Sequence, residues 1–257
     1  MTNIRSEKGF TLVELAVVMI IIGLLIGGVL KGQELIKSAK VTSTISQVKG
    51  VDAAVSTFQD IYAGLPGDLP SAGSRLPGCT GVCAPSTSAN GTLGNGLVET
   101  GTAFTPGLTN LDDETVAFFP QLAAADLISG VAPGDNVFGG NFPQAPVGGG
   151  LVPATLATTA ALPTTRLATD VTDFRSGLYL MHQQSFNSLT LPSSNALTMQ
   201  RIDRKIDDGN PLSGSVYAAE QSAGDCVVDD GSTSGADNLY NTADSQLFCN
   251  AVIRIQN

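Results

Sequence analysis

The sequence has no tryptophan and one histidine, and aromatic residues make up only 5% of its 257 positions. Because aromatic side chains bury more area than most others, we expect a loop-rich fold with a modest core. With His182 as the sole histidine, and with neither a Gly-x-Ser-x-Gly motif nor a phosphate loop, nucleophilic catalysis has no support. We interpret His182 as a surface or sheet histidine and predict that the chain is not an enzyme.

Proline is missing from residues 10–65, and charge is missing from residues 15–30. The apolar run from Phe10 to Leu30 has about 21 residues, roughly what a helix needs to cross a ~30 Å hydrocarbon core. Glu14 is the one charged residue in it. A carboxylate in hydrocarbon costs a few kcal/mol or more, so such a residue is functional by default and needs a partner. We predict a transmembrane helix over 10–30.

An amphipathic continuation of this helix is predicted over residues 31–64. Its apolar positions from Val41 to Tyr62 recur every three or four residues, which is the helical period. Gly64, followed by Leu65 and Pro66, predicts the end of the helix, with the glycine in the left-handed cap position. Glycines spaced by four allow helices to approach closely in apolar surroundings. Two such pairs are present: Gly23 with Gly27, and Gly28 with Gly32.

Acidic residues dominate the rest of the chain. Twenty of the 23 acidic side chains but seven of the 13 basic ones lie after residue 50, so this part carries a formal charge of about −13. Nonspecific nucleic-acid binding depends on neutralising phosphates, so we predict no nucleic-acid partner. The densest group of basic residues, Arg201, Arg204 and Lys205, is interleaved with acidic residues.

The residues from Lys8 to Glu14, with the sequence Lys-Gly-Phe-Thr-Leu-Val-Glu, resemble the type III signal of type IV pilins and type II secretion pseudopilins. The resemblance implies that residues 1–9 are a leader, which prepilin peptidase removes by cutting between Gly9 and Phe10. It also implies that Phe10 is N-methylated and that Glu14 acts in filament assembly. The fold it implies is α+β: a long N-terminal helix packed on a small antiparallel sheet, within a head domain over residues 65–257 that has long loops.

Four short blocks of the head also resemble segments of long pilin-like proteins. They are Leu65-Pro66-Gly67-Asp68, Gly94-Asn95-Gly96, residues 124–130 and residues 202–209.

The resemblance leaves three functions open. A surface type IV pilus subunit for adhesion or motility is favoured because the head is large and contains a long variable tract. A periplasmic pseudopilin of type II secretion is the second, and a membrane-anchored receptor or enzyme with a borrowed signal is the third. Expected partners are copies of the chain, other pilins, prepilin peptidase and an inner-membrane assembly platform. The expected location is the inner membrane of a Gram-negative bacterium for the precursor, and then an extracellular or periplasmic filament.

Four cysteines form an even count, which in an exported chain predicts two disulfides. The favoured pairing is local, Cys79 with Cys83 and Cys226 with Cys249, worth about 2 and 3.5 kcal/mol on the chain-entropy model. The second pair also resembles the disulfide-bounded C-terminal region of many type IV pilins. Zinc is the less favoured alternative, because there is no second closely spaced pair and only one histidine.

Within the head, the sequence predicts helices near 112–119, 120–129 and 194–207. Strands are predicted near Gly177–His182, Gly214–Ala219 and Ala251–Gln256, and residues 131–165 are predicted to form a surface loop or a flexible edge. Calcium is the one candidate cofactor. Asp203, Asp207 and Asp208 place carboxylates on a turn, which suits a hard cation, although helix-capping and turn roles explain the same residues.

Overall fold

The structure is a computed structural model, and it describes residues 10–85, 93–98, 114–132, 134–156, 174–184, 193–220, 226–228, 239–243 and 249–256. The chain divides into two compact units, Met1–Lys40 and Val41–Asn257. A long helix and a small antiparallel sheet give an α+β fold, as in type IV pilins.

The first helix, α1, spans Leu12–Tyr62 without a break. Between residues 41 and 58, the stripe predicted from the apolar period is buried in the core of the second unit. Thr44 and Ala54 are buried with it. The buried members of the stripe are Val41, Ile45, Val48, Val51, Val55 and Phe58, while Tyr62, its last predicted member, is half-buried against the core.

The end of α1 differs from the prediction by one residue. Ala63, with φ at 50°, holds the left-handed position that we assigned to Gly64, and its N–H still donates to the carbonyl of Gln59 at 2.8 Å. Gly64 has a different role. A Cβ at this position would lie 3.1 Å from the Leu69 side chain, which packs in the core. The glycine therefore packs closely against Leu69, and a larger residue here would require the leucine side chain to shift by a few tenths of an ångström.

The main sheet has four strands in the order β1-β2-β6-β3, and all neighbours are antiparallel. β1 spans Gly150–Leu156, β2 Gly177–Gln183, β3 Val216–Glu220 and β6 Cys249–Ile255. A separate hairpin pairs β4, Val227–Val228, with β5, Leu239–Tyr240. The three strands predicted from sequence are β2, β3 and β6, and they are confirmed with shifted ends.

β1 lies inside the tract that we predicted to be a loop or flexible edge, and it forms one edge of the sheet. Its Pro153 obscured the strand pattern, since proline cannot donate to a ladder. On either side of this proline, Leu151 N–H donates to the Pro143 carbonyl and Thr155 N–H to the Val98 carbonyl. The nitrogen of Pro153, although the residue is buried, therefore faces away from β2, where it breaks no hydrogen bond of the β1–β2 ladder.

The described residues also form three shorter α-helices and a 3₁₀ turn: α2 at Ala72–Arg75, the 3₁₀ turn at Gly81–Cys83, α3 at Glu114–Ala124 and α4 at Ala196–Ile206. The helix predicted near 194–207 is therefore confirmed. Asn195 caps α4 at its start by accepting a hydrogen bond from Thr198 N–H at 2.9 Å.

The prediction of two helices meeting at Pro120 is wrong, because α3 continues through this proline. Nearly the whole helix is buried, and its packing outweighs the hydrogen bond that proline cannot make. The predicted end at Gly130 is also wrong. Asp126 takes the left-handed position with φ at 58°, and Leu127 N–H donates to the Leu122 carbonyl while Asp126 N–H donates to that of Ala123. These two bonds form a Schellman motif four residues before the glycine.

Polar contacts fix the second half of α1 against the head. Asp52 Oδ1 accepts from Gln256 N–H at 2.9 Å, next to the end of β6, and Thr44 Oγ1 accepts from Val147 N–H at 3.3 Å. Gln47 Nε2 donates to the Gln144 carbonyl at 3.0 Å. The contacts come from segments far apart in sequence, so they determine how the helix sits on the sheet.

Candidate functional site

The sequence singles out three residues for processing and assembly, two just before α1 in the chain and one inside its first turn. Gly9 lies outside the described residues, Phe10 is 89% exposed, and Glu14 stands in the first helical turn. The bond between Gly9 and Phe10 therefore borders the described part of the chain. Cleavage there remains a prediction.

Glu14 hydrogen-bonds with Thr11. Its Oε2 accepts from Thr11 N–H at 2.9 Å and from the Thr11 hydroxyl at 2.7 Å. In return, Thr11 Oγ1 accepts from Glu14 N–H at 3.3 Å. This is a capping box, in which the N-cap and the third helical residue satisfy each other's backbone donors. Within a single chain, Glu14 therefore already has a partner.

We did not predict the role of Thr11 from the sequence, although the signal was present. Thr11-Leu12-Val13-Glu14 fits the pattern of a threonine followed three residues later by a glutamate, ahead of an apolar run. The motif defines the first turn of the helix. It also holds the carboxylate of Glu14 in a fixed position.

Beyond this turn, α1 exposes apolar side chains on every side. From Leu12 to Leu30 each large apolar side chain is exposed, from 44% at Ile22 to 86% at Leu12. The helix is long and apolar enough to cross a membrane. A helix that is apolar all round needs surroundings of the same kind, either lipid or other helices.

The four glycines of this segment leave open surface, because a Cβ built on Gly23, Gly27, Gly28 or Gly32 would meet nothing within 4 Å. At about 100° of rotation per residue, the pair 23/27 and the pair 28/32 lie on faces about 140° apart. Each pair is a small-x-x-x-small surface that lets another helix approach closely. Two such faces allow one helix to pack against two neighbours.

In the head, the candidate calcium ligands do come together. Carboxylate oxygens of Asp203, Asp207 and Asp208 lie within 4.8 Å of one another. The same oxygens, however, accept hydrogen bonds from the protein. Asp203 accepts from the Tyr240 hydroxyl at 2.9 Å and from Gly209 N–H at 3.3 Å.

The other two aspartates close the turn after α4. Asp208 accepts from Asn210 N–H at 2.8 Å and from the Ser213 hydroxyl at 2.6 Å, while Asp207 accepts from Ser215 N–H. Calcium needs six to eight oxygen ligands. Most carboxylate oxygens of these three aspartates already accept hydrogen bonds from the protein. The three residues therefore fit the turn role better than a calcium site, and calcium binding remains a prediction.

Burial changes the protonation of Asp203. Its side chain is fully buried, and desolvation raises its pKa to about 7, while the hydrogen bond from Tyr240 acts in the opposite direction. The pKa of Tyr240 is raised by its own burial and by the nearby Asp203 carboxylate. A neutral carboxylic acid is a poor cation ligand, which further weakens the case for calcium below neutral pH.

His182 lies in the sheet, buried on β2. Its Nε2 lies 2.6 Å from the Gly148 carbonyl and its Nδ1 lies 2.6 Å from Ser193 Oγ. The carbonyl requires a proton on Nε2, so the Ser193 hydroxyl donates to Nδ1. Burial lowers the pKa of His182 to about 4. Because the pair is enclosed in the core, it has the character of a structural hydrogen bond rather than of a nucleophile and its base.

The cysteines pair locally. Cys79 is bonded to Cys83 across the 3₁₀ turn, and Cys226 to Cys249 at the start of β6. This is the favoured pairing of the sequence analysis. The second bond attaches the β4–β5 hairpin to β6, one of the two inner strands of the sheet.

Comparison with protein families gives one match. Residues 4–30 match the prokaryotic N-terminal methylation motif, which is the prepilin signal of type IV pilins and pseudopilins. The comparisons with curated proteins and with solved structures give no match. The motif and the apolar helix together fit a membrane-anchored precursor that prepilin peptidase processes.

Proposed function

We propose that the chain is a structural subunit of a type IV pilus-like filament, which assembles through α1. The observation that carries the proposal is a helix whose apolar side chains are exposed all round from Leu12 to Leu30, within the methylation motif matched over residues 4–30. Such a surface would be solvated by lipid before assembly and by neighbouring helices afterwards. The second half of the helix holds the head, which would form the outer surface of the filament.

Cleavage between Gly9 and Phe10 would create the partner that assembly requires. The new amine at Phe10 is a cation at the depth of Glu14 in an axially shifted neighbour. Two charges about 4 Å apart attract by about 4 kcal/mol at an effective dielectric constant of about 20, enough to select one register. Glu14 would then exchange its contact with Thr11 for one with the next copy.

Mass spectrometry of filaments sheared from the cell surface tests the proposal. The expected result is that this chain is abundant in the sheared material and begins with N-methylated Phe10. Recovery of the chain only from the membrane, with residues 1–9 still attached, would contradict it.

A type II secretion pseudopilin is the second candidate, because the matched motif is common to pilins and pseudopilins. Deletion of the gene separates the two. If the chain is a pilus subunit, the deletion should abolish external filaments. If it is a pseudopilin, the deletion should abolish the secretion of periplasmic proteins and leave external filaments in place.

A further inference from the structure

The segment that follows the membrane span has two unlike faces. Taking Lys31 as zero and about 100° per residue, Gly32 and the apolar side chains of residues 32–39 fall between about 40° and 140°. Leu35 and Ile36 on this face are 61% and 58% exposed. The residues of the face are Gly32, Leu35, Ile36 and Ala39.

Lysines border this face on both sides. Lys31 lies at 0° and Lys40 at about 180°, so each is about 40° from the nearest apolar side chain. Lys37, at about 240°, lies on the opposite face. Lys31 also forms an ion pair with Glu34 at 2.8 Å, but the three lysines leave residues 31–40 with an excess of two positive charges.

We infer that residues 31–40 of the unassembled subunit bind the surface of an anionic bilayer, with Leu35 and Ile36 at the boundary of the acyl chains and Lys31 and Lys40 on lipid phosphates at either side. An apolar helix face with cationic borders is the pattern of interfacial helices. Here it is continuous with the membrane span, so the lipid surface lies directly beside it. The inference rests on the membrane-anchored precursor of the proposed function.

The length of the helix is compatible with this placement. From Leu12 to Ile36 the helix is about 37 Å long, against a hydrocarbon core of about 30 Å, so a tilt of about 37° brings Ile36 to the boundary. This lies within the range of 0–40° that membrane helices adopt. A helix leaning on the Leu35–Ile36 face would turn Lys37 away from the lipid. At this tilt each residue advances about 1.2 Å along the bilayer normal, so Lys31 lies about 6 Å deeper than Ile36 and extends its long side chain up to the phosphates, while Lys40 lies about 5 Å above Ile36 among the headgroups.

The chain offers a clean reporter, because it has no tryptophan. The Ile36→Trp variant of the full processed chain is reconstituted at low protein density in vesicles of phosphatidylcholine alone, or of phosphatidylcholine with phosphatidylglycerol. Quenching by brominated acyl chains and by aqueous acrylamide measures the depth of the reporter. In anionic vesicles at low salt we expect stronger quenching by the brominated lipid and weaker quenching by acrylamide, and 0.5 M salt should abolish the difference.

The lysines are tested on the same background. The double variant Lys31→Gln/Lys40→Gln should lower the equilibrium constant for docking on the anionic bilayer about 30-fold, because each lysine at an anionic surface contributes about a fivefold change. Lys37→Gln is the matched control, with the same change of charge within the same ten residues, and it should retain docking. Circular dichroism checks that α1 stays helical in each variant.

Three results would overturn the inference. One is equal quenching in neutral and anionic vesicles, and another is an equal loss from Lys37→Gln and from the double variant. The third is protection of the reporter from acrylamide that is the same with and without phosphatidylglycerol but increases with the protein-to-lipid ratio. That result would show that the face contacts a second copy of the chain. None depends on filaments: a chain that docks on lipid but never polymerises would refute the proposed function and leave this inference standing.

Discussion

The hydroxyl and backbone N–H of Thr11 both donate to one carboxylate oxygen of Glu14, at 2.7 and 2.9 Å. The acid that we assign to contact between subunits is therefore held by its own chain before any neighbour arrives. This internal partner lowers the cost of keeping a carboxylate in an apolar helix. It also means that assembly must compete with the capping box.

Thr11→Val should weaken the first turn of α1, since it removes the hydroxyl and keeps the shape of the side chain. Loss of an N-cap typically costs about 1 kcal/mol. We expect a lower yield of sheared filaments by immunoblot, with normal processing of the leader. Thr11→Ser keeps the hydroxyl and should assemble like the wild type, and a Ser variant as defective as the Val variant would contradict the role of the cap.

Glu14→Ala should be exported and cleaved but should assemble poorly, because it removes the charge that sets the register. Glu14→Gln separates charge from capping, since glutamine can still accept from Thr11 N–H in a capping box. We expect the Gln variant to fail like the Ala variant when the yield of sheared filaments is measured. Filaments of normal yield from Glu14→Ala would refute the register role.

Asp68 unites two of the short blocks that the sequence analysis singled out. The carboxylate is buried and accepts from the backbone N–H groups of Gly94, Asn95 and Gly96, the last at 2.7 Å. Next to it, Gly67 N–H donates to Gln121 Oε1 at 2.6 Å, and Gln121 Nε2 donates to the Cys83 carbonyl at 3.0 Å. One turn thereby fixes three separate segments of the head.

Asp68→Ala should lower the free energy of unfolding by about 1–3 kcal/mol or more, because it leaves backbone donors without their acceptor. The measurement is urea unfolding of the full chain in detergent. Asp68→Asn keeps one acceptor oxygen and should lose less. The role assigned to this carboxylate would be wrong if the Ala variant unfolded at the same urea concentration as the wild type.

The sequence predicted the helices and strands whose pattern is repeated over many residues. It failed where the conformation of a single residue determines where an element ends or whether it continues. The apolar period predicted the buried stripe of α1, and strand patterns, with clear alternation over residues 251–256, predicted β2, β3 and β6. The ends of helices depended on which residue takes the left-handed conformation, and packing placed Ala63 and Asp126 there although a glycine was nearby. Pro120 and Pro153 misled for the same reason, since burial and an edge position removed the usual cost of proline.

The candidate site shows the same division. The motif around Phe10 and Glu14 was readable because its residues are adjacent in sequence. The link between Asp203 and Tyr240 was not, because 37 residues separate them and only the fold brings the hydroxyl to the carboxylate. Contacts of this kind leave no periodic pattern in the sequence.

Two buried groups should give opposing pH dependence of stability over the same range. The folded-state pKa of Asp203 is raised from 3.8 to about 7, so its contribution is present at low pH and is lost as the pH rises from about 4 to 7. The pKa of His182 is lowered from 6.5 to about 4, so its contribution is present above 6.5 and is lost as the pH falls toward 4. Between pH 4 and 6.5 the two slopes have opposite signs and should largely cancel.

Single variants should expose each slope. For Asp203→Asn we expect a melting temperature that falls as the pH is lowered from 6.5 to 4, because only the histidine contribution remains. For His182→Gln we expect the reverse, a melting temperature that rises over the same interval. The double variant is the control and should be as insensitive to pH as the wild type in this range. If the Asp203→Asn profile were parallel to that of the wild type, Asp203 would have an ordinary pKa and its burial would carry no protonation cost.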